Sequence, residues 1–224
     1  MTLKELRQKY GEENVSDQSR GYRTIKKGNK CGIYSHHVER MITGFDFDHD
    51  SPHPYNIVHQ RGESGQAFAT PEKNGKYAYA HVDEDEFRLL SDFIYDGAID
   101  FDGRQRAVAY IDDKAGVVQE GYTELKTIIP HEYKHIELNG QGLAVRRFDD
   151  NKVGLFTSAF KPMLPKKITG PDPFVWDRVL LGDKWTPIRF YIGDVEIYIY
   201  KDYFKPLKDL PYEFIRKVFE RREQ

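Results

Sequence analysis

Lys114-Ala115-Gly116-Val117-Val118 is followed, 38 positions later, by Lys152-Val153-Gly154-Leu155-Phe156, and is preceded, 38 positions earlier, by Lys76-Tyr77-Ala78-Tyr79. A further start, Lys30-Cys31-Gly32-Ile33-Tyr34, lies 46 positions before Lys76. Self-similarity at a period of roughly 20–50 residues marks stacked supersecondary units, which offer a surface more readily than a pocket.

The stretches between the starts keep a common order. After Lys114 come Leu125-Lys126-Thr127-Ile128-Ile129-Pro130 and His131-Glu132-Tyr133-Lys134-His135-Ile136. Gly142-Leu143-Ala144-Val145-Arg146-Arg147-Phe148 and the turn Asp149-Asp150-Asn151 close the copy. These short apolar runs, broken by Gly, Pro and Asp/Asn, read as strands joined by connections too short for parallel crossovers. Tyr95 lies 19 positions after Lys76, as Tyr133 does after Lys114. Ala107-Val108-Ala109-Tyr110-Ile111 matches the closing strand. In the first copy Gly65-Gln66-Ala67-Phe68 closes the unit. Pro52-His53-Pro54-Tyr55 aligns with Pro130 to Tyr133 if a short insertion lies between Thr43 and Asp50. Ile128, Ile129, Val145 and Leu155 are expected in the core, and Tyr95 and Tyr133 at a half-buried edge.

The ends differ from the middle. Leu3, Leu6 and Tyr10 have helical spacing, with Thr2 as N-cap and Gly11 as terminator. Ile188 to Ile192 and Val195 to Tyr200 flank Gly193-Asp194 and predict a β-hairpin. Pro211 opens a second helical pattern through Phe214, Ile215, Val218 and Phe219. The expected fold is all-β, a divergent tandem β-repeat stack with short terminal helices and a C-terminal β-hairpin. Residues 1–21 would cap the stack, 22–168 would form the repeats, and 169–224 would cap the other end.

The copies resemble WG repeats, also called KWG repeats. The likeness rests on Lys114-Ala115-Gly116-Val117, Ile129-Pro130, Tyr133 and Gly142-Leu143-Ala144-Val145, with the next copy starting at Lys152-Val153-Gly154. Gly32, Ala78, Gly116 and Gly154 hold the glycine position, and Pro130, Tyr95 and Tyr133 the later marks. The family's Trp before Gly is replaced by Cys31, Tyr77, Ala115 and Val153. The resemblance implies bacterial β-rich repeats and supplies no catalytic residue.

Composition narrows the partners. With 34 basic and 36 acidic residues the formal charge is -2, which gives no reason to expect nucleic acid or an anionic membrane. The sequence from Met1 to Leu6 lacks a signal-peptide core, and no apolar run is long enough to span a bilayer, so a cytoplasmic location is expected. Cys31 is the single cysteine and reads as a small strand residue. The 15 tyrosines and 14 phenylalanines suit half-buried strands and interface anchors.

Two polar clusters compete for a role. Asp46, Asp48 and Asp50, with His49, His53 and His59, have metal-ligating chemistry. A calcium loop starting at Asp46 would need Gly and an acid where Ser51 and Ile57 stand. No H-E-x-x-H, G-x-S-x-G or P-loop pattern occurs. Asp83-Glu84-Asp85-Glu86 reads either as a solvated turn or helix start, or as a patch that steers a basic partner. These seven acids are the candidate protein-binding residues, with no catalytic residue, metal or cofactor assigned. The expected function is a non-enzymatic bacterial protein-binding module, with a basic toxin or effector as partner and toxin neutralisation as its role. The alternatives are a metal-dependent hydrolase using Asp46, Asp48, His49 and His53, and a structural repeat domain within a complex.

Overall fold

The computed structural model describes residues 1–19, 21–51, 57–60, 67–102, 104–121, 124–139, 142–157, 159–161, 174–182, 188–192 and 194–199; at 60, 175, 192 and 195–199 it describes the backbone alone. These residues are mostly β-strand, with one short α-helix and several small antiparallel sheets. The chain divides into two compact units. One comprises Met1–Asp113 with Val117–Ile128, and the other Lys114–Gly116 with Ile129–Gln224.

The first unit opens with α1 (Leu3–Tyr10), followed by β1 (Tyr22–Lys27), β2 (Lys30–Ser35), β3 (Arg40–Met41), β4 (Phe47–Asp48), β5 (Val58–Gln60) and β6 (Ala67–Ala69). Then come β7 (Glu72–Lys73), β8 (Lys76–Tyr77), β9 (Ala80–Val82), β10 (Phe87–Leu89), β11 (Gly97–Ala98) and β12 (Arg106–Ile111). The division runs through β13 (Lys114–Glu120) and β14 (Leu125–Tyr133). The second unit continues with β15 (His135–Leu138), β16 (Leu143–Arg146), β17 (Val153–Phe156), β18 (Phe174–Trp176), β19 (Arg178–Leu180), β20 (Ile188–Ile192) and β21 (Val195–Ile199).

The sheet orders are β1-β2-β4-β7-β8 with β3 beside β2, then β10-β9-β6-β5, β11-β12-β13-β14, β15-β16-β17-β18 and β19-β20-β21. The helix forms where its capping residues dictate. Thr2 Oγ1 accepts from Glu5 N, Glu5 Oε2 accepts from Thr2 N at 2.7 Å, and Gly11 ends the helix at φ 94°. Its Leu6 is buried with Val15, Ile25 and Tyr34 against the first sheet. On that sheet's other side, Cys31, Ile33 and Phe47 pack with Val58, Ala67, Ala69, Ala80 and Val82 of the second sheet. Strand alternation sends Phe68 and Tyr79 into a further core with Tyr95, Phe101, Ala107, Ala109 and Val118. The second sheet is therefore buried on both faces, which explains its alanine-rich strands.

The expected hairpin is present as β20 and β21, paired from Ile188↔Ile199 to Ile192↔Val195 and extended by β19. The helical pattern after Pro211 lies outside the described residues. Ile128 is only half-buried, whereas Ile129 is fully buried. The two are neighbours on one extended strand, so only one can face the core.

Candidate protein-binding site

The four strand-opening lysines have a common local setting. Each follows a tight turn containing a residue at positive φ: Gly28 (62°), Asn74 (55°) with Gly75 (73°), Asp112 (49°) with Asp113 (60°), and Asn151 (61°). Asn and Gly tolerate that backbone, and two such residues in succession turn a chain back with the twist of its strands. The lysine is thus the first, or nearly the first, residue of a returning strand.

Three of these lysines meet an acid that directly follows a buried aromatic ring. Lys30 is paired in register with Asp48 and bonds its Oδ1. Lys76 Nζ lies 2.5 Å from Asp96 Oδ1, and Lys152 Nζ bonds Asp177 Oδ1. The preceding rings, Phe47, Tyr95 and Trp176, are all buried. In two of the three, the second oxygen of the acid reaches the next turn. Asn74 N donates to Asp48 Oδ2 at 2.5 Å, and Asp112 N donates to Asp96 Oδ2 at 2.8 Å. The Lys30 ammonium and then the Asn74 amide hold the Asp48 carboxyl below its ordinary range, and Lys76 and Asp112 do the same for Asp96.

Sequence spacing missed these aspartates. Its signal is the dipeptide aromatic-Asp at Phe47-Asp48, Tyr95-Asp96 and Trp176-Asp177. Phe47, 17 positions after Lys30, holds the place of Tyr95, so no insertion between 43 and 50 is required. Tyr55 lies outside the described residues.

The glycine position has a packing explanation. Gly32, Gly116 and Gly154 are buried and none has positive φ. A Cβ would come 2.2 Å from Gly44 O at Gly32, 2.7 Å from the His131 ring at Gly116, and 2.6 Å from the Phe156 ring at Gly154. Ala78, fully buried, occupies the same place in the second copy. Pro130 is an exposed residue within β14. Tyr95 is bridged to Tyr77 and sits edge-on to Tyr79 at 5.5 Å, while Tyr133 is half-buried and stacks on Phe174 at 6.2 Å. Their immediate packing partners therefore differ.

Of the first acidic cluster, Asp46 and Asp50 are exposed, Asp48 is half-buried with both oxygens bonded, and His49 is fully buried. Asp46 and His49 do not share a side of the strand, because Phe47–Asp48 is extended between them. His53 lies outside the described residues, and among the described residues no group of three or more His, Cys, Asp or Glu is placed to hold a metal.

The second cluster forms one feature. Asp83, Glu84, Asp85 and Glu86 are the four-residue turn between β9 and β10, where Val82 pairs with Phe87. All four are exposed. The backbone of the turn is pinned from the first sheet: Ser35 Oγ donates to Glu84 O at 2.5 Å, and Arg40 reaches Asp85 O at 3.5 Å. Asp83 N also donates to Glu86 O at 2.9 Å. The negative charge is felt nearby: burial first, and then Asp83 and Glu84, push the Tyr22 phenol up to about 12. Cys31 is fully buried and its thiol is pushed up to about 12, chiefly by desolvation, which makes it a packing residue at neutral pH.

No helix among the described residues is long and apolar enough to cross a membrane. No protein-family model and no curated protein matches the chain. Among solved structures it is similar to the N-terminal domain of Nup159, with 12% identity over 87% of this chain and 62% of that one, at a TM-score of 0.40. It is also similar to an S. cerevisiae complex of Dbp5 with Nup159 and Gle1, with 12% identity over 83% and 60% at 0.36. PorZ of Porphyromonas gingivalis matches with 9% identity over 87% and 27% at 0.38. The chain thus spans less than two thirds of each of these chains.

Proposed function

We propose that this chain is a non-enzymatic protein-binding module built from divergent WG-like β repeats, and that it engages a basic partner through the Asp83–Glu86 turn. The observation that carries the reading is the combination of four exposed carboxylates with a pinned backbone. Such a turn needs little ordering on binding and concentrates negative potential at one place, which speeds encounter with a cationic surface. The recurrent lysine, turn and aromatic-Asp settings support the repeat reading. A toxin-neutralising immunity protein, with a basic bacterial toxin as partner, is the role these properties fit best.

The hydrolase alternative is less favoured, because Asp48 would have to surrender Lys30 and Asn74 before it could ligate a metal. The test is affinity capture with the full chain, run beside a variant carrying Asp83→Lys, Glu84→Lys, Asp85→Lys and Glu86→Lys. A partner captured by the parent should associate more slowly with the variant at low salt, and the difference should shrink as salt rises. Equal association rates at low salt would remove the turn from the interface.

A further inference from the structure

The sheet β10-β9-β6-β5 ends on β10, and the outer edge of that strand is open. Its register against β9 is unbroken: Phe87↔Val82, Arg88↔His81 and Leu89↔Ala80. On either side of the strand, Asp83 N donates to Glu86 O at 2.9 Å and Leu90 N donates to Tyr79 O at 2.8 Å. Opposed residues in an antiparallel pair alternate between those that exchange both backbone bonds and those that turn both groups away. Glu86, Arg88 and Leu90 therefore face β9, while Phe87 and Leu89 direct their N–H and C=O outward. Val82 and Ala80 turn theirs to the other neighbour, β6, at Ala67↔Val82 and Ala69↔Ala80. Among the described residues no strand pairs with β10 on its outer side. The chain closes on it at its end, where Leu125 N donates to Leu90 O at 3.2 Å.

Natural sheet edges are guarded by proline, lysine, a bulge or a covering segment. Phe87-Arg88-Leu89 holds no proline or lysine, and its ladder has no bulge. Arg88, its one charged residue, alternates to the face opposite Phe87 and Leu89. Phe87 packs against the core, but Leu89 remains 42% exposed. The edge thus offers two amides, two carbonyls and an apolar side chain, which is what an extended peptide needs to join a sheet. By itself such an edge accepts any extended chain, and the acids beside it select the charge. Asp83–Glu86 is the tip of the same hairpin, directly before Phe87, and all four side chains are exposed. A lysine or arginine on an added strand is drawn to that end, while an apolar neighbour covers Leu89. A second copy of the chain would instead bring a second four-acid turn to the same ladder, so like charge disfavours self-pairing.

We propose that the outer edge of β10 receives an extended segment of the bound protein as an added strand, with lysine or arginine beside the Asp83–Glu86 turn and an apolar residue beside Leu89. The inference rests on the reading of that turn as the binding site. It names the form of the basic partner: an extended strand rather than a folded cationic surface.

The probe is a capped peptide of alternating lysine and valine, titrated into the full chain and followed by NMR of the backbone amides. Its control is the same peptide N-methylated at every residue, which keeps the charge and removes the ladder donors. At saturating peptide, exchange of the Phe87 and Leu89 amides should slow about tenfold or more, and the methylated control should bind about tenfold or more weakly. Leu89→Pro deletes one outward N–H without touching a bond to β9, a position where edge strands accept proline, and it should weaken the peptide by about tenfold. Unchanged exchange at both amides in the parent, or equal binding of the methylated control, would overturn the proposal without any variant having to fold. Those outcomes leave the turn reading standing if the variant with Asp83→Lys, Glu84→Lys, Asp85→Lys and Glu86→Lys still loses the peptide at low salt. Failure of the turn reading looks different: both amides are protected, yet that variant binds the peptide as the parent does, which would overturn the selection of a basic strand. Protection of the same amides on concentrating the chain alone would assign the edge to a second copy and overturn the proposal.

Discussion

Replacing Gly32 with alanine isolates the physical reason for the repeated glycine. The added Cβ would lie 2.2 Å from Gly44 O, 2.8 Å from Met41 Cε and 3.1 Å from Gly44 C. Met41 Cε can swing away, but the Gly44 carbonyl is backbone. Ordinary contact begins near 3.4 Å, so the carbonyl must retreat by about 1.2 Å, the difference between 3.4 and 2.2. That segment is not free to move, because Ile33 N donates to Thr43 Oγ1 at 2.8 Å and Ile42 N donates to Ile33 O at 2.9 Å. Overpacking costs about 1–3 kcal/mol, and losing one of those buried bonds adds about 1–3 kcal/mol. Restricting the unfolded chain returns only about 0.4–1 kcal/mol. Gly32→Ala should therefore destabilise by about 1–5 kcal/mol. Urea unfolding measures this as a lower midpoint at constant slope. A midpoint equal to or above that of the parent would refute the close-approach argument. Ala78→Gly serves as the reverse control: it should cost about 1–2 kcal/mol, from backbone entropy and the loss of a fully buried methyl group.

Two further outcomes follow from buried polar contacts. Arg23 Nε donates to His36 Nε2 at 3.0 Å, so His36 must be neutral; burial first, and then Arg23, hold its pKa below the ordinary histidine value. Because the unfolded chain binds that proton more readily, stability is full above about pH 6.5 and falls as pH drops through the folded value; His36→Gln should flatten this slope in urea titrations between pH 7 and 5, and an unchanged slope would assign the effect elsewhere. The hydroxyl of the fully buried Tyr79 lies 3.0 Å from Ile99 O and 3.2 Å from Val108 O. Tyr79→Phe should cost about 1–3 kcal/mol by thermal or urea unfolding, with no loss expected only if water replaces the hydroxyl.

Much of the architecture was written in local signals. The Thr2 cap with Glu5, the hairpin of β20 and β21 and the lysine-led strand starts each combine a turn or cap residue in the sequence with an adjacent apolar pattern, and such combinations are local enough to read. The burial of Ile128 was less legible, because it depends on which face of β14 is covered, and that is decided by residues distant in sequence. The acid partners were hidden for the same reason: an Asp 18 to 25 positions from its lysine looks like any surface charge until the strands are paired. The Asp83–Glu86 run was visible as charge, but its pinning by Ser35 and Arg40, 49 and 45 positions away, was not.

The lysine–aspartate pairs are too exposed to serve mainly as stabilisers. Lys76 and Asp96 remain 41% and 37% exposed, and ion pairs in that setting are worth little once screening and side-chain entropy are counted. Their value is geometric. β4, β7 and β8 are only two residues long, and β4 meets β7 through the single pair Asp48↔Glu72. A ladder that short cannot specify its own register, and a slip of one residue would carry Phe47 out of the core. By holding Lys30 with one oxygen and the Asn74 amide with the other, Asp48 fixes both neighbours of its strand at once. Asp96 does the same between Lys76 and Asp112. The turns at Asn74 and Asp112 are thereby fixed relative to the preceding strands by carboxylates that are themselves largely exposed or half-buried.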